Sequence, residues 1–359
     1  MRKNTMRIMI SVLLFSFVLA ACGQGATPTS SAGGTSPTAS TSAAESNAAP
    51  AEGEQKAILL SNSATDEEGM NRMLRELKPR IEAATEGRYT IDVYNNMLLG
   101  ADREQQESVQ LGTIDMCMTT QGTTATFVPE MDVFSLPFLF DNDDHAIRFI
   151  NNERVLSILD EKFQKSGMKL LGFSVQSARV VTNSARPINS LADLASLRVR
   201  VMENAVQLGT WAALGADPVP MAWSDVYTSL QQKALDGQEN GISVAKDYTL
   251  YEVQKYISIT NHNYSVIVYM MNLNYWNAIA PEDQKILADE FNWAQSRLSD
   301  LYRGDQLAAL DFLTTEGGME VQYPDISELQ AAVADYKAGV VAGMNDEMKE
   351  LVQLVDDLR

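Results

Sequence analysis

The chain has 359 residues, 47 of them acidic and 28 basic, for a net charge of −19. A surface of that sign repels nucleic acid, although screening beyond about 8–10 Å leaves room for a local positive site. The two histidines, His145 and His262, lie far apart in sequence, and with so few cysteines they give no zinc ligand set.

Residues 1–21 read as an export signal. Arg2, Lys3 and Arg7 make a basic start, and residues 8–21 are apolar but too short for a permanent membrane span. Losing those three cations takes the charge from −19 to −22. The run ends in "LAAC", which resembles the lipobox of bacterial lipoproteins and implies lipid attachment at Cys22. Cys117 then has no partner for an internal disulfide. Residues 22–54 are mostly Ser, Thr, Ala, Gly and Pro, too poor in large apolar side chains to build a core, and are expected to form a disordered tether. No later apolar run reaches membrane length. The mature protein is thus expected outside the cytoplasm, lipid-anchored to the outer face of a bacterial cell membrane.

"KAILLSNSA" opens the fold as a strand. Met70, Met73, Leu74, Leu77 and Ile81 recur at helical spacing, with Pro79 expected to kink the last turn. "RYTIDVYNN" alternates as a strand, "ADREQQESVQLG" is a polar helix closed by Gly112, and "TIDMCMTT" is another strand. "FSLPFLF" (134–140) reads as a segment entering the core, and "KLLGFSVQ" as a further strand. "NSLADL" carries a capping box, Ser190 with Asp193. In "SLRVRVM", Leu197, Val199 and Val201 alternate with Arg198, Arg200 and Met202, giving one apolar and one polar face. Two short helices follow, then the β-branched strand "SVIVYMMN". Pro281 starts a helix whose apolar positions, Leu287 to Leu301, extend toward Leu313. The tail from Ser327 is helical. This alternation predicts an α/β fold with a parallel or mixed sheet and helices on both faces, and about 300 residues are enough for two cores.

Arg179 and Arg200 stand out. Each is expected near a strand end, where open α/β sheets collect ligands, and arginine's planar fork suits a carboxylate. The alternative for either is a solvated surface charge. "DGQEN" (236–240) lacks the acidic spacing of a calcium loop, and no Gly-rich phosphate loop, nucleophile elbow or HExxH is present. No catalytic residue, metal or cofactor is assigned. Trp211 and Trp223 read as core or cleft walls.

"VQLGTIDMCMTT", "PEMDVFSLPFLF", "ADLASLRVRV", "ALGADPVPMAWSDVYTSLQQKALDGQEN" and "YEVQKYISITNH" together resemble the solute-binding proteins of TRAP transporters, the DctP family. The resemblance runs from about residue 57 to beyond 300. It implies a two-lobed periplasmic-binding-protein-like fold with a ligand cleft and a long bracing helix. The lobes are expected at 55–176 with 265–304, and at 177–264 with 305–359. It also implies capture, without turnover, of an organic acid, either a sugar acid such as a uronate or a C4-dicarboxylate. Delivery to ion-coupled membrane subunits follows, or presentation to a signalling receptor instead. Residue by residue, Arg200 takes the family's carboxylate-gripping place, Arg179 that of a second arginine, Asn240 that of a ligand-contacting asparagine, and Trp223 that of a pocket aromatic. Gln121 and Glu203 complete the expected set. The family's proline after "RV" is Met202 here, its helix glutamate is Asp225, and the glycine before Arg179 is replaced by Ser177-Ala178. Glu203 is a poor neighbour for a second carboxylate and a good one for a hydroxyl.

Overall fold

Period-two patterning builds ten strands in the computed structural model, which describes residues 55–359. The expected signal, Cys22 and the tether lie outside the described residues. The strands are β1 (Lys56–Asn62), β2 (Tyr89–Tyr94), β3 (Met116–Thr120), β4 (Met168–Asn183), β5 (Arg198–Val201), β6 (Asp217–Pro220), β7 (Gly237–Gly241), β8 (Tyr256–Ser258), β9 (Tyr264–Asn272) and β10 (Glu320–Gln322). Their order is β2-β1-β3-β9-β4-β7-β5-β6, with β8 pairing β4 and β10 pairing β8. Pairing is mixed. β1 runs parallel to β2 and β3, and β5 to β6 and β7, while β4 and β9 are antiparallel to their neighbours.

β4 joins the two halves of this arrangement. The sequence pattern breaks it at "KLLGFSVQ", but the structure carries one strand of 16 residues through to Asn183. Its first part pairs with β9 and its last residues with β7 and β8. Arg179 therefore lies within a strand, not at its end. β9 is buried along its whole length. Val266, Val268 and Met270 enter one core, and Ile267, Tyr269 and Met271 the other, which is why "SVIVYMMN" is apolar throughout.

Helices cover both faces. Gly69–Ala84 buries Met70, Met73, Leu74, Leu77 and Ile81 and continues five residues beyond Pro79. Asp102–Leu111 ends at Gly112, whose φ of 77° takes the left-handed conformation that closes a helix. "FSLPFLF" enters the core as expected, with Phe134, Leu136, Leu139 and Phe140 buried. The helix from Pro281 runs 35 residues to Thr315. Leu287, Phe291, Ala294, Leu298 and Tyr302 pack beside the first strands, and Leu313 packs with Val180, Leu250 and Ile257 beside the later ones. The tail forms two helices, Ile326–Gly343 and Asp346–Asp357. Leu329 and Val333 pack with Val199, Val201 and Trp211. The last helix departs from the expected grouping of 305–359 with 177–264. Met348, Leu351 and Val355 instead join Val155, Leu159 and Phe163 in the core against β9. No helix among the described residues is long and apolar enough to cross a membrane.

Candidate ligand-binding cleft

A cleft, open at its mouth, lies between residues of the first strands and those of β5 and β7. Ser63, Glu68, Asp102, Met118 and Thr120 face Arg200, Met202, Trp223, Asn240 and Tyr248.

Strand alternation places Arg200. Val199 and Val201 fill the core, and Arg200 points the other way, 3% exposed, into the cleft. Its Nε donates to the Met221 carbonyl at 2.8 Å, and its guanidinium lies 5.5 Å from the Trp223 ring centroid. No carboxylate comes within ion-pair distance among the described residues. Burial pushes its pKa down to about 10, the Glu239 charge working against that fall, so it stays charged at neutral pH. The result is a buried cation whose two terminal nitrogens find no protein acceptor. Two residues earlier, Arg198 is partly exposed and forks onto Asp236, with Nη2 at 2.7 Å.

Arg179 differs. It is 1% exposed, and five N–H groups meet five acceptors. Nε and Nη2 fork onto the Glu239 carboxylate, Nη2 also reaches the Glu239 carbonyl at 2.7 Å, and Nη1 meets Asn240 Oδ1 at 3.1 Å and Ser265 Oγ at 2.5 Å. His262 Nε2 sits 3.1 Å from the same carboxylate. Burial alone would raise the Glu239 pKa, but the Arg179 charge and the His262 contact draw it down to about 2. Arg179 touches the cleft wall, yet its donors are already spent on the protein. It ties β4 to β7 and holds Asn240, a residue of the cleft lining, by the side-chain oxygen.

Gln121 departs further from expectation. It is fully buried and does not line the cleft. Its Nε2 donates to the Tyr264 carbonyl at 3.0 Å and its Oε1 accepts from Val266 N–H at 2.9 Å, so it stitches the turn after β3 to β9. Trp223 forms the wall beneath Arg200 and meets Tyr248 edge-to-face, centroids 5.0 Å apart. Glu203 is exposed at the cleft rim. Met202 lies against Thr120 and Gly122 across the cleft, where a Cβ on Gly122 would come within 2.7 Å of its methyl carbon.

Two acids in the cleft escape sequence reasoning. Glu68 is 3% exposed and accepts from Tyr302 Oη at 2.8 Å, Tyr248 Oη at 3.2 Å and Gln176 Nε2 at 3.4 Å. Burial raises its pKa to about 7. Asp102 accepts from Ser63 and Thr120 hydroxyls, and burial raises its pKa too. In sequence both sit in acidic runs, "TDEEG" and "ADREQQE", that look like solvated helix starts. The signal that distinguishes them is tertiary: Tyr248 and Tyr302 lie far along the chain. Among the described residues no cluster of acids, histidines or cysteines could hold a metal.

The cleft thus sets one cation with open donors on one wall against acceptors on the other. Residues 60–341 match the DctP family, described as bacterial extracellular solute-binding protein, family 7, and the chain belongs to that family. A solute-binding protein of Verminephrobacter eiseniae is 36% identical over 209 residues, 58% of this chain and 62% of that protein's length. The 2,3-diketo-L-gulonate-binding periplasmic protein YiaO of Escherichia coli is 30% identical over 241 residues, 67% of this chain and 73% of that protein. The crystal structure of a TRAP periplasmic solute-binding protein from Polaromonas, bound to D-erythronate, is 30% identical and superposes with a TM-score of 0.80 over 84% of this chain and 98% of its own.

Proposed function

We propose that this protein captures an organic acid outside the cytoplasm and passes it to the membrane subunits of an ion-coupled TRAP transporter. Arg200 takes the ligand carboxylate. The observation that carries this reading is a buried guanidinium that lines the cleft and has no carboxylate partner among the described residues. A carboxylate there gains charge-assisted hydrogen bonds worth roughly 1.5–3 kcal/mol each and relieves an uncompensated buried charge. The relatives that take 2,3-diketo-L-gulonate and D-erythronate support a hydroxylated acid, of the sugar-acid kind, as the ligand. Asn240, Trp223 and, at the rim, Glu203 complete the contacts, with Arg179 holding Asn240 in place.

Titration calorimetry with D-erythronate and L-gulonate tests the reading. Removing one partner of a desolvated charged pair costs about 2–5 kcal/mol. Arg200→Ala is therefore expected to weaken binding roughly 30-fold to several thousand-fold while the apo protein stays folded. Arg200→Lys keeps the charge without the fork and falls in between. Arg198→Ala leaves affinity nearly unchanged, because Arg198 is committed to Asp236 outside the cleft. Full affinity in Arg200→Ala sinks the reading. The same proposal includes a lipid at Cys22 as the tether. Cys22→Ser is expected to move the protein from the membrane fraction to the soluble one, and retention on the membrane would count against the anchor.

A further inference from the structure

We infer that Glu68, with Asp102 beside it, restricts the cleft to acids carrying one carboxylate, the far end of the ligand being a hydroxyl and not a second carboxylate. The inference rests on Arg200 as the carboxylate grip and narrows the ligand class.

The charges that line the cleft carry the argument. Three arginines reach its surface. Arg179 has all its donors occupied and its charge matched by Glu239. Arg103 is largely exposed and bonds Glu107 at 3.1 Å. That leaves Arg200 as the buried cation with open donors, enough for one carboxylate.

The facing wall has the opposite sign. Glu68 and Asp102 line it, and neither has a cation within ion-pair distance among the described residues. Glu68 is held from three directions by Tyr302, Tyr248 and Gln176, so it cannot swing away from an unwelcome charge. Asp102 is fixed by Ser63 and Thr120. When Glu68 and Asp102 are ionised they are acceptors only, so a second ligand carboxylate arriving there meets like charge. A hydroxyl at the same place donates into either side chain. The wall therefore favours hydroxyls by attraction and rejects a dicarboxylate by repulsion, the two means by which a site discriminates.

Matched pairs that differ only by oxidation of the terminal CH2OH to a carboxylate test this. D-Erythronate is paired with meso-tartrate and L-gulonate with glucarate, measured by calorimetry at pH 8, above the Glu68 pKa of about 7. In the wild-type protein the monocarboxylate of at least one pair is expected to bind about 100-fold or more tightly than its partner, in line with the cost of like charges brought together. Glu68→Gln and Asp102→Asn are each expected to shrink that ratio at least tenfold, largely by improving dicarboxylate binding. Wild-type protein that binds meso-tartrate or glucarate as tightly as the monocarboxylate overturns the inference. So does a ratio that neither variant changes. If Glu68→Gln does not fold, Asp102→Asn and the wild-type ratio still decide. Failure of the grip itself is read separately, as undiminished binding of all four acids by Arg200→Ala. No binding of any of the four by wild-type protein counts against both.

Discussion

Two buried arginines about twenty positions apart do opposite jobs, and the difference lies in their partners. Arg179 meets Glu239 and contributes to the fold, whereas Arg200 meets only a carbonyl and an aromatic face among the described residues. The Glu239 pairing sets a pH dependence. Its pKa falls from 4.5 to about 2 on folding, so the native state binds fewer protons than the unfolded chain between those values. Stability from this group is full above about pH 4.5 and is lost as pH falls toward 2, by an amount on the order of a few kcal/mol. Urea denaturation across that window is expected to show the loss in wild-type protein. Glu239→Gln should be less stable at neutral pH, with a flatter acid limb, and an identical acid slope in both proteins would show that the pair does not matter. Alternation put Arg200 on the strand face opposite its neighbouring valines, and the family resemblance, not the pattern, pointed that face into a cleft. The fate of Arg179 was not legible, since nothing near it in the chain announces Glu239, Ser265 or His262. Glu68 and Asp102 were hidden for the same reason.

At the scale of elements, β4 shows where pattern reading fails. Met168 and Leu170 face the same core as Phe173 and Val175, so the buried parity switches from even to odd between them. The switch is a bulge at Leu170/Gly172, and a second irregularity follows at Val175/Ser177. One extra residue reverses the facing of everything beyond it, and the strand read as "KLLGFSVQ" passes the first bulge but stops at the second. Gly172 sits at φ 138°, and a Cβ there would lie 2.2–2.4 Å from the Gln295 amide. That amide fills the gap in the ladder, donating to the Leu171 carbonyl at 2.9 Å and accepting from Phe173 N–H at 3.3 Å. Gly172→Ala therefore meets both an unfavourable φ and a displaced cap, and is expected to destabilise the protein by about 2–4 kcal/mol. Chemical denaturation measures this, and affinity per folded molecule should be unchanged. A loss below about 0.5 kcal/mol would mean the bulge relaxes freely. Helices fared better than this strand, because their spacing and caps are local: Gly112 and the Ser190–Asp193 box both stand where expected.

At the scale of the whole molecule, β4 and the helix Pro281–Thr315 serve both sides of the cleft, and side chains already reach across it. Tyr248 Oη donates to the Ser63 carbonyl at 2.8 Å, and Asn204 Nδ2 to the Gly122 carbonyl at 3.2 Å and Asp132 at 2.8 Å. These contacts are few and polar, so the walls are expected to part in solution and close over a ligand by bending of the shared elements. Small-angle scattering with saturating D-erythronate should give a smaller radius of gyration than the apo protein, and an unchanged radius would point to a rigid pocket. The mixed α/β architecture was readable from the order of strand and helix signals. The docking of Asp346–Asp357 beside the first core was not, because amphipathic spacing says that a helix needs a core but not which one.

The place of β9 in the sheet orders events during synthesis. β3 has β1 on one edge, but its other edge is paired by β9, Met116 opposite Met271. β4 waits for the same strand, Leu170 opposite Met270. Until residue 272 leaves the ribosome, both strands present open apolar edges with nothing native to join. A chain wired this way finishes its central sheet late and slowly, and its half-made form is prone to stick to other chains. Late closure of the sheet leaves the first half of the chain without its final fold for as long as β9 is still to come.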